Sequence, residues 1–111
     1  MPEIMLISYL ACALWSAPDE DLDSNFSIDD FCPEALTAAK NDCIELWLKH
    51  WQILQRDPSQ AGHDFSLTRN HHGAGFWDRE TWKPYGQELT DAAHKFGEVS
   101  VFETVNGLIF E

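Results

Sequence analysis

Apolar residues recur at helical spacing in three stretches of the chain. Residues 2–15 are apolar nearly all round, which predicts a helix buried on several sides. Residues 33–55 form a second, longer helix, with Pro33 at the first helical position and Asp57-Pro58 ending it. Residues 88–96 form a third helix, which Gly97 stops. The apolar stripe predicted for the second helix consists of Leu36, Cys43, Ile44, Trp47, Leu48, Trp51 and Leu54.

Short alternating stretches predict strands in the second half of the chain. Residues 63–68 and 75–78 are predicted strands joined by a glycine-bearing turn at 70–75. VSVFETV and LIFE flank Asn106-Gly107, the preferred type I′ turn, and predict a C-terminal β-hairpin. That turn would place Val105 opposite Leu108, so that one buried face holds Val99, Val101, Val105, Leu108 and Phe110. The expected fold is α+β, a single domain over 1–111, with two or three helices packed on an antiparallel sheet of three to four strands.

Composition and charge narrow the classes of function. The chain is 44% hydrophobic and holds 14 aromatic residues, so it can form a core and is not a disordered tail. Its 19 acids and 7 bases give a formal charge of −12. Proteins that grip phosphate backbones use Lys and Arg to replace counterions, so direct binding of duplex DNA is not expected. The charge favours basic partners, or serves solubility alone.

The cysteines and the first apolar run bear on the compartment. Cys12, Cys32 and Cys43 are odd in number and form no C-x-x-C pair, which favours reduced, buried thiols. The apolar run over 4–15 is too short to span a bilayer as a helix. A secretory signal needs a positive region before its apolar one, but the first base in the chain is Lys40. We therefore expect a protein of the cytoplasm, with no membrane contact.

The N-terminal third carries most of the negative charge. Residues 1–31 contain seven acids and no base. Residues 17–31 are predicted to be a loop whose Leu22, Phe26, Ile28 and Phe31 anchor it while its carboxylates face water. Asp42 and Glu45 could extend this surface along the second helix. The predicted partner-binding residues are Asp19, Glu20, Asp21, Asp23, Asp29, Asp30 and Glu34; the alternative is a solvated loop that only maintains solubility.

A second candidate site lies in HDFSLTRNHHGAGFWDR, residues 63–79. One interpretation is a site for a nucleic-acid end, a nucleotide or a metal, since bases lie beside stacking rings. The other is a structural hairpin in which Asp64 and Asp78 pair with Arg69 or Arg79, while Gly73 and Gly75 supply unusual backbone angles. The candidate residues are Asp64, Arg69, Asn70, His71, His72, Trp77, Asp78 and Arg79.

Catalysis and cofactors receive little support from the sequence. The histidine spacing matches no standard zinc pattern, so neither a metal nor another cofactor is expected. His72 with Asp64 or Asp78 could act as acid and base, but no nucleophile stands beside them in a defensible spacing. We expect a binding protein rather than an enzyme.

The same stretch resembles a family of short bacteriophage and mobile-element proteins with the pattern H-D-F-W-L-T-R-N-G-H-G-A-G-F-W-D-R. The resemblance extends to YLACALWS, LDSNFSIDDF, the Pro-Glu-Ala-Leu helix start and the closing FGEV. Ser66 replaces the usual Trp, and His71 the usual Gly. The family has no established activity; the resemblance implies a small early-acting or accessory phage protein in a bacterial cytoplasm.

Charge and resemblance together lead to one functional hypothesis. A small acidic phage protein, monomeric or homodimeric, would inhibit or modulate a host protein with a basic, nucleic-acid-binding surface. Its carboxylates would act as a DNA mimic, as in anti-CRISPR, anti-restriction or host-takeover inhibitors. The alternative is ligand binding at the His, Arg and Trp residues of 63–83.

Overall fold

The computed structural model describes residues 1–19 and 22–111. The fold is α+β: within these residues, five helices precede a two-stranded antiparallel sheet. Single 3-10 turns lie at Ile28–Asp30 and Glu80–Trp82. The helices are α1 (Glu3–Trp15), α2 (Leu22–Asn25), α3 (Pro33–Leu54), α4 (Pro58–Arg69) and α5 (Gly86–His94), and the strands are β1 (Val101–Thr104) and β2 (Gly107–Phe110). The predicted helices over 2–15, 33–55 and 88–96 are confirmed, with small shifts of their ends.

The strand predicted over 63–68 is wrong, because these residues belong to α4. The Asp57 carboxylate accepts a hydrogen bond from the backbone N–H of Gln60 at 3.1 Å, and Pro58 occupies the first helical position. Asp-Pro therefore begins a new helix as well as following α3. Residues 75–78 form turns, so the predicted sheet of three to four strands has two.

Helices α1 and α4 pack against each other at Gly62. A Cβ atom at this position would collide with the backbone of Met5 and come within 2.9 Å of the backbone nitrogen of Tyr9. Only glycine allows two helices to approach this closely. Around this contact lie the largest fully buried side chains, including Met5, Tyr9, Phe65, Phe76 and Trp82.

The C-terminal hairpin is confirmed, but its register differs from the prediction. Glu103 pairs with Leu108, and Thr104 pairs with Gly107, so that Val105 and Asn106 form the loop. Val105 is fully exposed rather than part of the buried face, where Val101 and Leu108 remain. Gly107 has a positive φ of 123°, but it is the first residue of β2 and not part of the loop.

The segment over 22–32 is anchored on this hairpin. Leu22 and Phe31 are buried, while Phe26 and Ile28 are half-buried. Phe31 forms a parallel bridge with Leu108, and the backbone N–H of Cys32 donates to the carbonyl of Leu108 at 2.9 Å. The segment predicted to be an anchored loop therefore contains the short α2, a 3-10 turn and a bridge to the sheet.

Helix α3 buries a narrower face than the sequence predicts. Leu48 and Trp51 are exposed, and Trp47 is half-buried. The buried residues of α3 are instead Ala35, Ala39, Cys43, Leu46 and Leu54, three of which are small. Among the residues described, no helix has both the length and the apolar character needed to cross a membrane.

Candidate functional site

Residues 19–34, termed the acidic segment, contain the predicted partner-binding carboxylates, and those that the structure describes lie on the surface. Asp19, Asp23, Asp29, Asp30 and Glu34 are all exposed, whereas Glu20 and Asp21 lie outside the described residues. Asp30 also accepts a hydrogen bond from the backbone N–H of Ser27 at 2.8 Å, within a capping box. Asp42 does not extend the surface, because it is half-buried and paired with Arg69. Glu45 is exposed on α3.

Arg69 is an internal residue, with 2% of its surface exposed. Its guanidinium donates four hydrogen bonds of 2.8–3.0 Å. The acceptors are the Tyr9 hydroxyl, a carboxylate oxygen of Asp42 and the backbone carbonyls of Phe96 and Gly97. The rings of Phe65 and Phe96 each lie 5.6 Å from the guanidinium carbon. Arg69 therefore joins α1, α3, α4 and the end of α5, and it is not available to a ligand.

Asp64 is completely buried and fully paired. Gln60 donates to Oδ1 at 2.9 Å, and the Trp82 indole donates to Oδ2 at 2.8 Å. Arg79 donates from Nε to both oxygens, at 3.0 and 3.1 Å. The pairing of Asp64 with Arg79, one of the predicted structural alternatives, is confirmed. Since these partners occupy Asp64, it does not form the acid–base pair with His72.

The remaining residues of the second candidate site are divided between structure and surface. Asn70 bridges the end of α4 to Val99, whose N–H donates to Asn70 Oδ1 at 2.8 Å. His71 has a φ of 55°, and its ring lies 4.1 Å from the ring of His94. The side chains of His72, Trp77 and Asp78 are exposed.

The expected backbone roles of the two glycines are confirmed in part. Gly73 has a φ of 49°. Gly75 does not have a positive φ, but a Cβ atom there would collide with the hydroxyl of Thr68. That hydroxyl accepts a hydrogen bond from the backbone N–H of Phe76 at 3.1 Å. The 70–79 segment is thus drawn tightly against α4.

A cleft lies between α1, α4 and the 70–79 segment. It consists of two cavities, of about 410 and 510 Å³, which share Trp15, His63 and Arg79 as lining residues. The smaller is also lined by Ser8, Ala11, Cys12, Asp57, Ser59 and Gln60, and the larger by Ser16, Leu67, His72, Gly73 and Ala74. The rings of Trp15 and His63 are stacked, with centroids 6.4 Å apart. This cleft, termed the α1–α4 cleft, brings His72 and Arg79 together with residues not predicted from the sequence.

Burial favours the neutral form of two core thiols, those of Cys12 and Cys43. Burial raises the pKa of Cys12 to about 11 and the pKa of Cys43 to about 12. Because thiolates and not thiols are nucleophiles, neither sulphur is activated. In the part of the chain that the structure describes, no three His, Cys, Asp or Glu side chains are grouped so that they could hold a metal ion.

Sequence reasoning missed Trp15, Ser59, Gln60 and His63 as neighbours of Arg79. The last three can be recognised as neighbours only if their stretch of the chain is assigned to a helix. On a helix, residues 59, 60, 63, 64 and 67 are spaced by three or four positions and share one side. When 63–68 is read as a strand, the same residues alternate between faces.

Comparison with known proteins adds no relative. No protein-family model matches the chain, and neither a curated protein nor a solved structure is found to be similar to it.

Proposed function

We propose that this is a small acidic phage protein that binds a basic, nucleic-acid-handling protein of the bacterial host through residues 19–34. It would inhibit or modulate that partner as a DNA mimic, in the cytoplasm, as a monomer or homodimer and without a cofactor. The phage setting comes from the resemblance of residues 63–79 and their flanking segments to the mobile-element family. The function proposed is binding, not catalysis.

The observation that carries the proposal is that residues 22–31 of the acidic segment are ordered. Leu22 and Phe31 are buried at either end of it, and the capping box of Ser27 and Asp30 holds the turn between them. A loop that serves solubility alone needs no such order. Carboxylates on an ordered segment keep a constant spacing, which lowers the entropy lost when they meet a partner's cations.

The distribution of the bases supports the same proposal. The first 39 residues contain no base. Arg69 and Arg79, two of the seven bases, are each paired with a carboxylate, that of Asp42 and that of Asp64. They therefore do not offset the exposed carboxylates, and the negative potential of the N-terminal surface extends outward to steer a basic partner.

The test is capture from a nuclease-treated bacterial lysate, with the nuclease washed from the beads before duplex DNA is added as competitor. One variant, termed the acidic-face variant, neutralises three carboxylates of the acidic segment through Asp23→Asn, Asp29→Asn and Glu34→Gln. The matched control neutralises three carboxylates elsewhere, through Asp78→Asn, Glu103→Gln and Glu111→Gln. All six residues are exposed, and each set changes the formal charge from −12 to −9. Asp30 is left unchanged because its carboxylate caps the turn.

We expect the wild type and the control to capture the same nucleic-acid-binding protein, and added duplex DNA to displace it. The acidic-face variant should lose that partner while its circular dichroism stays the same. If both variants capture the protein equally, or if duplex DNA does not displace it, the proposal is wrong.

A further inference from the structure

We propose that the α1–α4 cleft binds a nucleoside monophosphate, at a site separate from the acidic segment. The cleft provides three kinds of contact next to each other: an aromatic surface, a cation with unused donors, and a group of hydroxyl and carboxylate oxygens. A nucleotide presents the three complementary groups: a planar base, a phosphate and a ribose.

The cation is Arg79, which is held in place before any ligand arrives. Its Nε donates to Asp64, which Gln60 and Trp82 fix in turn. Among residues 1–19 and 22–111, the two terminal nitrogens of this guanidinium have no hydrogen-bond acceptor, and the side chain is one-third exposed. Arg79 lines both cavities, so its side chain is accessible to a ligand from either of them. A guanidinium with two free, adjacent N–H donors suits the two oxygens of a phosphate.

The aromatic surface is Trp15, whose indole is 64% exposed at the last position of α1. His63 stacks against one side of the indole, and their interplanar angle is 29°. Because the ring centroids are 6.4 Å apart, the imidazole covers little of the indole, and the exposed surface of Trp15 is open to a planar ligand. The larger cavity is otherwise lined by Ser16, Leu67, His72, Gly73 and Ala74, of which Leu67 and Ala74 offer apolar contacts to a base.

The oxygen donors and acceptors lie in the smaller cavity. Ser8 and Ser59 are hydrogen-bonded to each other through their hydroxyls at 2.8 Å, and Asp57 and Gln60 lie nearby. Hydroxyls and a carboxylate suit the 2′- and 3′-hydroxyls of a ribose. The Asp57 carboxylate also repels a phosphate from this cavity, which favours placing the anion at Arg79 and His72.

The charge of the molecule favours a small ligand over a long strand. Because the formal charge is −12, the protein surface repels the phosphates of any strand that extends outside the cleft. A single phosphate that reaches Arg79 gains short-range contacts that offset this repulsion. The same chemistry also occurs at the 5′-phosphorylated end of a strand, so the experiment includes both.

The experiment is a titration of the ¹⁵N-labelled protein with adenosine 5′-monophosphate, followed by NMR. The five Trp indole N–H groups give signals in a region free of backbone amides, and the Trp15→Phe and Trp77→Phe variants assign two of them. We expect the Trp15 signal to shift and the Trp77 signal to stay. Adenosine and inorganic phosphate, tested separately, should each bind more weakly than the nucleotide.

Matched variants test the assignment of the residues. Trp15→Ala should raise the Kd about tenfold, since base–aromatic stacking contributes on this order. Trp77→Ala is the control, because Trp77 is 60% exposed and lines neither cavity. Arg79→Gln should also raise the Kd. If that variant fails to fold, Trp15→Ala still decides, because the Trp15 side chain is 64% exposed and its removal leaves the core intact.

The outcomes separate the possibilities. Binding of the mononucleotide that is lost with Trp15→Ala supports the cleft as a nucleotide site. Tighter binding of a 5′-phosphorylated oligonucleotide, lost with the same variant, supports the site and identifies a strand end as the source. The proposal is overturned if millimolar nucleotide leaves the Trp15 signal unchanged, or if Trp77→Ala weakens binding as much as Trp15→Ala.

Discussion

The Nε atom of Arg79 donates to both carboxylate oxygens of Asp64, at 3.0 and 3.1 Å. This contact uses one nitrogen of the guanidinium and both oxygens of the carboxylate. Asp64 has no exposed surface, and its two oxygens accept from this cation and from the N–H groups of Gln60 and Trp82. The pair ties α4 to the segment that follows it, which contains the turn at Glu80–Trp82.

We predict that Asp64→Ala lowers the free energy of unfolding by about 3–5 kcal/mol, because it leaves the guanidinium and the indole N–H without their acceptor. Asp78→Ala, at an exposed carboxylate next to Arg79 in the chain, should change it by less than about 0.5 kcal/mol. Urea unfolding followed by circular dichroism measures both values. Equal losses in the two variants would contradict the structural role of Asp64.

Arg69→Lys should destabilise the protein by about 2 kcal/mol or more, although the charge is kept. One ammonium cannot replace a planar group that reaches Tyr9, Asp42 and two backbone carbonyls at once. The comparison is Arg56→Lys, because Arg56 is exposed and donates only to the carbonyls of Thr81 and Lys83. If Arg69→Lys has the stability of the wild type in urea, the four-way contact is not formed.

Stability should fall at alkaline pH. Burial raises the pKa of Tyr9 to about 12, that of Cys43 to about 12 and that of Cys12 to about 11, from ordinary values of 10, 9 and 9. The folded state therefore holds these protons to a higher pH than the unfolded chain does. The stabilisation is complete below about pH 9 and is lost as the pH rises toward 11–12, by up to about 1.4 kcal/mol per pH unit for each group.

Unfolding in urea at pH 7.5, 9 and 10.5 tests this dependence. Cys43→Val removes one titrating group, so its loss of stability between pH 9 and 10.5 should be smaller than that of the wild type. A wild-type free energy of unfolding that stays constant up to pH 10.5 would show that these groups are accessible to water in the folded protein.

His71→Gly should stabilise the protein by about 0.5–1 kcal/mol. The φ of 55° at His71 strains a residue with a Cβ atom by about 1–2 kcal/mol, which exceeds the entropy that glycine adds to the unfolded chain. His72→Gly is the control: it lacks a positive φ and should lose stability. Thermal unfolding of the two variants distinguishes them, and a loss in both would mean that the ring contact with His94 outweighs the strain.

The sequence predicts the helices well where the apolar pattern has one interpretation. The apolar residues of α1 and α3 recur at helical spacing, and Gly97, with a φ of 77°, follows α5 as expected. The pattern fails at α4, because nearly every residue over 64–69 is buried and neither an alternation nor a helical stripe identifies the element. The informative signal is Asp57-Pro58, which ends one helix and begins the next.

The candidate site was less predictable, because its residues are assigned by packing. Arg69 and Arg79 are equivalent in the sequence as cations near aromatic residues. In the fold, Arg69 is enclosed by four acceptors, while Arg79 keeps its terminal nitrogens at a cleft. The packing of α1, α3 and the residues after α5 around α4 gives Arg69 its acceptors, which the sequence alone does not show.

The bridge between Phe31 and Leu108 has a consequence for synthesis of the protein on the ribosome. Cys32, next to Phe31, donates to the carbonyl of Asn106, which lies 74 positions later in the chain. A nascent chain exposes its acidic segment long before it contains the strand on which that segment docks. The negatively charged surface therefore assembles late, and a truncated translation product that lacks 106–108 would carry the carboxylates without their fixed arrangement.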